Sequence, residues 1–178
     1  MNCWKSISIS HDYGTLRLVI YSGCTMLFTF FIHYLLISAF IKPTELPNIS
    51  FLFFIGSILS LVVFHKIFHL VPIWLCGKKA LIHVERGAFV PSIKIPIPVT
   101  RKLYLVSLIT PLFVVIIACA LFAILFPTYF AYISIMSSIH FGLAFSDFVH
   151  ISILLKAPKK SYVETYSDGF HILLKQSA

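Results

Sequence analysis

A chain of 178 residues that is 59% hydrophobic and only 11% charged excludes a water-soluble domain, because a domain of this length has too little interior to bury so much apolar surface. Its formal net charge of +8 would suggest nucleic-acid binding in a soluble protein. Here the basic residues cluster between apolar stretches, which indicates contact with anionic lipid headgroups and argues against nucleic acid. The four cysteines show no CxxC spacing, so neither a disulfide framework nor a cysteine metal site is expected.

The apolar stretches are long enough for the roughly 20 residues that a bilayer-spanning helix needs. After a polar N-terminal tail that ends near Thr15, the sequence predicts an all-α integral membrane protein with four transmembrane helices, at about residues 16–41, 51–75, 103–126 and 129–155. Prolines break the chain between the first two helices and between the last two. His33 lies alone in the first helix, and we expect it to bond to a neighbouring helix.

The segment 78–102 differs from the rest, with six basic residues and the single acid Glu85. Runs rich in Ile and Val on both sides of Glu85-Arg86-Gly87 predict an interfacial basic loop or β-hairpin between helices 2 and 3. The N-terminal flank, this loop and the tail at 156–178 are more basic than the two opposite loops. The positive-inside rule therefore predicts a multi-pass protein of the cell membrane, one domain over residues 1–178, with both termini, the loop 78–102 and the tail 156–178 in the cytoplasm.

Two histidines in the second predicted helix, His65 and His69, are spaced to meet one metal ion. Residues four apart lie on the same face of a helix, one turn from each other. Asp147, in the fourth predicted helix, is the only acid inside an apolar stretch, and an unpaired carboxylate at that depth costs several kcal/mol. Two histidines and one carboxylate leave an open position on a metal, as in catalytic zinc sites. Spacing alone leaves a second interpretation equally open, in which Lys66 pairs with Asp147 without metal.

Other polar residues of the fourth helix share the face of Asp147. His140 lies seven residues before it and His150 three residues after it, so all three can face the same way. We expect His140, His150 and Ser146 to form hydrogen bonds to the metal ligands of such a site, and either histidine could also be a fourth ligand.

The order of these landmarks resembles the zincin peptidases of the DUF3267 membrane-protein family, which are distantly similar to site-2 proteases. The landmarks span about residues 50–175 and are His65-Lys66-Ile67-Phe68-His69, a basic loop, Ser107-Leu108-Ile109-Thr110-Pro111-Leu112, Ser146-Asp147 and Asp168-Gly169-Phe170. The resemblance implies that zinc is the cofactor and that His65, His69 and Asp147 are its ligands. It also implies peptidase activity on membrane proteins or peptides.

One residue departs from the family pattern, because Lys66 stands where the family has the catalytic Glu of HExxH. A lysine there either turns away, loses its proton and acts as the base, or pairs with Asp147. Glu85 is the acid nearby in sequence that could substitute for the missing base. The expected function is thus a zincin-like metallopeptidase or a catalytically impaired relative, and the alternative is a metal-free scaffold or regulatory subunit held by the Lys66–Asp147 pair.

Overall fold

The computed structural model describes residues 2–8, 10–40, 47–83, 92–166 and 169–174. Four long helices form the body of the protein, and each coincides to within about two residues with one of the predicted apolar stretches. The helices are α1 (Thr15–Phe40), α2 (Phe51–Leu75), α3 (Arg101–Leu125) and α4 (Phe130–Lys156). A π-helical turn, Ser10–Gly14, precedes α1, and a 3-10 turn, Pro127–Tyr129, precedes α4.

The four helices are long and apolar enough to cross a membrane. Their outward faces carry large apolar side chains such as Phe40 and Leu52, which are 88% and 80% exposed. Such a surface would be unfavourable in water and is suited to hydrocarbon. The four cysteines are all free.

Local chemistry fixes the ends of the helices. Gly77 adopts a φ of +67°, and the N–H groups of Gly77 and Lys78 donate to the carbonyls of Trp74 and Ile73. This Schellman motif ends α2. At the start of α3, the hydroxyl of Thr100 accepts a hydrogen bond from the N–H of Leu103, which caps the helix.

The prediction of an all-α protein is wrong, because the described residues also form two antiparallel sheets. A four-stranded sheet has the order β1-β6-β5-β4, and a two-stranded sheet pairs β2 with β3. The strands are β1 (Asn2–Ser8), β2 (Leu81–His83), β3 (Ser92–Lys94), β4 (Val99–Thr100), β5 (Ser161–Tyr166) and β6 (Gly169–Leu174). The segments expected to be polar tails are therefore strands.

The structure confirms the expected β-hairpin between helices 2 and 3 in its paired part. Strand β2 pairs with β3 in the register Leu81 to Lys94, Ile82 to Ile93 and His83 to Ser92. Residues 84–91, which include Glu85, lie outside the described residues.

The four-stranded sheet covers one end of the helix bundle. Its inward side chains, among them Val163, Phe170 and Ile172, form one buried core with Ile73 of α2 and Leu154 of α4. Burial alternates along β5 and β6, as it does when one face of a sheet covers a core. The C-terminal ends of α2 and α4 and the N-terminal end of α3 therefore meet at the sheet.

Helix α1 packs closely against α4 at Gly142. A Cβ atom added at Gly142 would lie 3.1 Å from the Cβ of Met26 and 3.2 Å from the carbonyl oxygen of Ser22. The hydroxyl of Ser22 donates a 2.6 Å hydrogen bond to the carbonyl of Gly142. The absence of a side chain at Gly142 thus permits this close contact between the two helices.

Candidate metal centre

Two helices bring three metal-binding side chains together inside the bundle. His65 and His69 lie one turn apart on α2, and their Nε2 atoms are 3.3 Å apart. From α4, Oδ2 of Asp147 lies 3.2 Å from Nε2 of His65 and 3.4 Å from Nε2 of His69. All three residues are buried. The three residues predicted from spacing and resemblance therefore lie in one cluster.

The distances within this triangle match those between ligands of zinc. With Zn–N and Zn–O bonds of about 2.0–2.1 Å, neighbouring corners of a tetrahedron lie about 3.3 Å apart. The three ligand atoms are separated by 3.2, 3.3 and 3.4 Å. They can occupy three corners around one ion and leave the fourth corner open.

The hydrogen bond of His69 to the backbone is compatible with a metal ligand at this position. Nδ1 of His69 lies 2.9 Å from the carbonyl oxygen of Ser107 on α3. A carbonyl only accepts, so Nδ1 carries a hydrogen, and Nε2 is the nitrogen of His69 that faces the triangle. Oδ2 of Asp147 is fully enclosed and makes no hydrogen bond. A metal ion within the triangle would bind this oxygen and Nε2 of His69 together.

Contacts outside the triangle orient its histidines. Besides the bond from His69 to Ser107, the hydroxyl of Ser107 donates back to the carbonyl of His69. Nδ1 of His65 lies 3.2 Å from Nε2 of His140, which is buried on α4. Metal-ligating histidines commonly bond through their second nitrogen in this way. His140 therefore contacts the ring of His65 at the nitrogen that does not face Asp147.

Ser107 is the residue whose contact the sequence did not reveal. It bonds to His69 through its backbone carbonyl, and a backbone group has no sequence signature. One feature of the sequence did point to Ser107, because it is the first residue of the family landmark near the start of α3.

The remaining polar residues of α4 do not join the triangle. Nδ1 of His150 bonds to the carbonyl of Ser146 at 2.7 Å, and the ring of His150 lies 5.2 Å from that of Phe170 on β6. The hydroxyl of Ser146 donates to the carbonyl of Leu143 at 3.4 Å. His33, as expected, bonds to a neighbouring helix, with Nδ1 3.0 Å from the hydroxyl of Ser137.

Lys66 turns away from Asp147. Successive residues of a helix point about 100° apart, so a helix that directs His65 into the triangle directs Lys66 to one side of it. The ion pairs of Asp147 within the described part of the chain join it to His65 and His69. The proposed Lys66–Asp147 pair is thus not formed.

Lys66 instead lines a cavity of about 290 Å³ between α1, α2 and α4. His65 is part of the same lining, so this cavity borders one residue of the candidate metal centre, whereas His69 and Asp147 do not line it. The other polar residues of its lining are Ser22 of α1 and Ser146 of α4. The rest of the lining consists of apolar side chains and Gly142.

The comparison with protein families gives one match. The model of the family DUF3267, which carries the description "Putative zincin peptidase", matches residues 58–162, more than half of the chain. This region contains all three residues of the triangle, together with Lys66, Ser107 and His140. No curated protein and no solved structure matches the chain.

Proposed function

Since the chain belongs to the DUF3267 family, we propose that it is a membrane-embedded zinc protein of the metallopeptidase type. His65, His69 and Asp147 would hold the ion. The observation that carries this proposal is the buried triangle of ligand atoms, whose edges of 3.2–3.4 Å fit the coordination sphere of zinc.

Zinc, when bound, acts as a Lewis acid that polarises a carbonyl group and activates a water molecule. The residues around the triangle then have distinct tasks. Ser107 holds the ring of His69, and His140 holds the ring of His65, so that both Nε2 atoms face the site. The apolar side chains of the bundle exclude bulk water, which strengthens each electrostatic interaction inside.

Within the described part of the chain, no further carboxylate joins the site to move protons. Lys66 stands in the position of the family's Glu, and it is a cation instead of a base. Among the described residues, the other acids are Asp12, before α1, and Glu164, on β5, and neither joins the cluster. General base catalysis contributes about 10²- to 10⁴-fold to a rate. We therefore propose a peptidase that is impaired by about that factor and that holds its substrates longer than it cleaves them.

The proposed substrates are membrane proteins or peptides, because the cavity at the centre opens among helices with lipid-compatible surfaces. The partners are therefore the lipid bilayer and such substrates, without nucleic acid. Basic residues gather at the end of the bundle that carries the sheet, at positions 78 and 79 after α2, 101 and 102 in α3, and 156, 159 and 160 at the end of α4. Under the positive-inside rule, this end and both termini face the cytoplasm of the cell membrane.

The metal content of detergent-purified protein tests the proposal. We expect about one zinc per chain in the wild type and in His33→Ala, a control that removes a histidine outside the triangle. His69→Ala should lose the zinc, because two ligands remain of three. An absence of zinc from the wild type after loading and desalting would refute the metal centre.

A further inference from the structure

The proposed zinc centre, on which this inference rests, has a charge that its own side chains do not balance. Zinc brings two positive charges, Asp147 removes one, and the ammonium of Lys66 adds one beside the site. Two positive charges therefore remain in an apolar environment, whereas a glutamate in place of Lys66 would have left none. Charge buried in this way is costly unless an anion compensates for it.

The cavity that Lys66 and His65 line is suited to an anion. The hydroxyls of Ser22 and Ser146 are both donated to backbone carbonyls, of Gly142 and Leu143. Among the described residues that line this cavity, Lys66 is therefore the side chain whose polar hydrogens remain free to bind a ligand. A single cationic donor in an apolar cavity selects one negative group on an apolar body.

The size and depth of the cavity further restrict which anions can bind there. A volume of about 290 Å³ is roughly that of ten water molecules, enough for one amino acid residue with its carboxylate. Lys66 lies nine residues before the end of α2 at Leu75, or about 13 Å along the helix. Lipid phosphates lie at the membrane surface, so a ligand that reaches Lys66 must bring its charge into the bundle.

We propose that this cavity binds the C-terminal carboxylate of a peptide, with Lys66 as its counter-charge. The substrate class is then peptides with a free C-terminal residue that is apolar and of moderate size. The last residue occupies the cavity, and the preceding peptide bond lies toward His65 and the metal. Lys66 thus occupies the position of the family's catalytic base, but its role is to recognise the C terminus of the substrate peptide.

Binding of two small probes to detergent-purified, zinc-loaded protein tests this. N-trifluoroacetyl-leucine carries the carboxylate and N-trifluoroacetyl-leucinamide is its neutral analogue, and fluorine NMR reports the binding of each. We expect the wild type to prefer the carboxylate by about tenfold or more. Lys66→Gln should abolish the preference and Lys66→Arg should retain it. Lys102→Gln, which removes an exposed lysine elsewhere, should match the wild type.

A second variant keeps the test decisive if Lys66→Gln does not fold. Val19→Phe adds bulk to the α1 wall of the cavity at a position that is exposed on the helix surface. We expect it to weaken both probes while the zinc content is unchanged. Equal affinity of the wild type for the two probes would overturn the proposal, as would unchanged binding in Val19→Phe.

Zinc measured on the same samples separates this inference from the proposed function. Zinc present without a preference for the carboxylate would refute the carboxylate site and leave the metal centre intact. A preference that depends on Lys66 in protein that never holds zinc would refute the metal centre and support the carboxylate site. Tighter binding of dihexanoyl phosphatidate than of the carboxylate, lost in Lys66→Gln, would assign the cavity to a lipid headgroup and overturn the proposal.

Discussion

Replacing Lys66 with glutamate should convert the centre into an efficient peptidase. Lys66 follows His65 on α2 and lines the cavity that reaches His65, so a carboxylate at this position faces the space where a substrate would lie. The substitution supplies a general base, which is worth about 10²- to 10⁴-fold in rate. It also removes both excess positive charges that we infer for the zinc-loaded site. We therefore expect at least about 10²-fold faster cleavage than in Lys66→Gln.

The comparison with Lys66→Gln isolates the base, because both variants lose the ammonium. The substrate is a fluorogenic apolar peptide with an amidated C terminus, so that recognition by Lys66 does not enter the comparison. Cleavage is measured in detergent with zinc-loaded protein. The double variant with His69→Ala serves as the control for contaminating proteases and should be inactive.

Equal rates for Lys66→Glu and Lys66→Gln, with zinc retained in both, would refute the reasoning. In that case the missing carboxylate is not what limits hydrolysis, and the peptidase assignment loses its main chemical support. Loss of zinc in Lys66→Glu alone would contradict the geometry, which directs residue 66 away from the ligand triangle.

Three further predictions concern the metal centre and the sheet. Loading with zinc at 100 times its dissociation constant should stabilise the wild type by about 2.7 kcal/mol, read as a higher melting temperature that a chelator reverses and that His69→Ala abolishes. His140→Ala should weaken zinc binding by about 10- to 100-fold in a chelator competition, because His65 loses its partner at Nδ1, whereas His150→Ala should not change the affinity. Gly169→Ala should destabilise the protein by about 2 kcal/mol or more in denaturant titration, since the new Cβ would lie 1.9 Å from the carbonyl oxygen of Ile7 and separate β1 from β6. An unchanged melting curve for Gly169→Ala would contradict the pairing of these two strands.

The helices could be predicted from the sequence because a bilayer imposes a simple requirement of length and apolarity. The sheet could not. Strand β1 pairs with β6, more than 160 residues later, so no local pattern reveals its partner. Strands β5 and β6 have a visible alternation, but their polar residues and the flanking lysines at positions 156, 159, 160 and 175 made the segment look like a tail. The dipeptide Asp168-Gly169, a pairing typical of turns, was the remaining signal; Asp168 lies outside the described residues, and Gly169 begins β6.

Part of the site could be predicted, because few charged or titratable side chains occur in apolar stretches and those that do are conspicuous. Asp147 stands out because it is the only acid in an apolar stretch, and His65 and His69 stand out by their spacing. The direction of Lys66 was not predictable, because it depends on how α2 is rotated against α4. Charge complementarity alone favoured a pair with Asp147, whereas the helix can present only one of two adjacent residues to that carboxylate.

The contact of α1 with α4 at Gly142 has a consequence for how this protein can diversify. Helix α1 precedes the region matched by the family model, yet Leu18, Val19 and Ser22 supply one wall of the cavity that Lys66 and His65 also line. The ligands and their supporting residues all belong to α2, α3 and α4. Substitutions in α1 can therefore alter which molecules enter without disturbing the coordination sphere, so that selectivity and chemistry can evolve on separate parts of one chain.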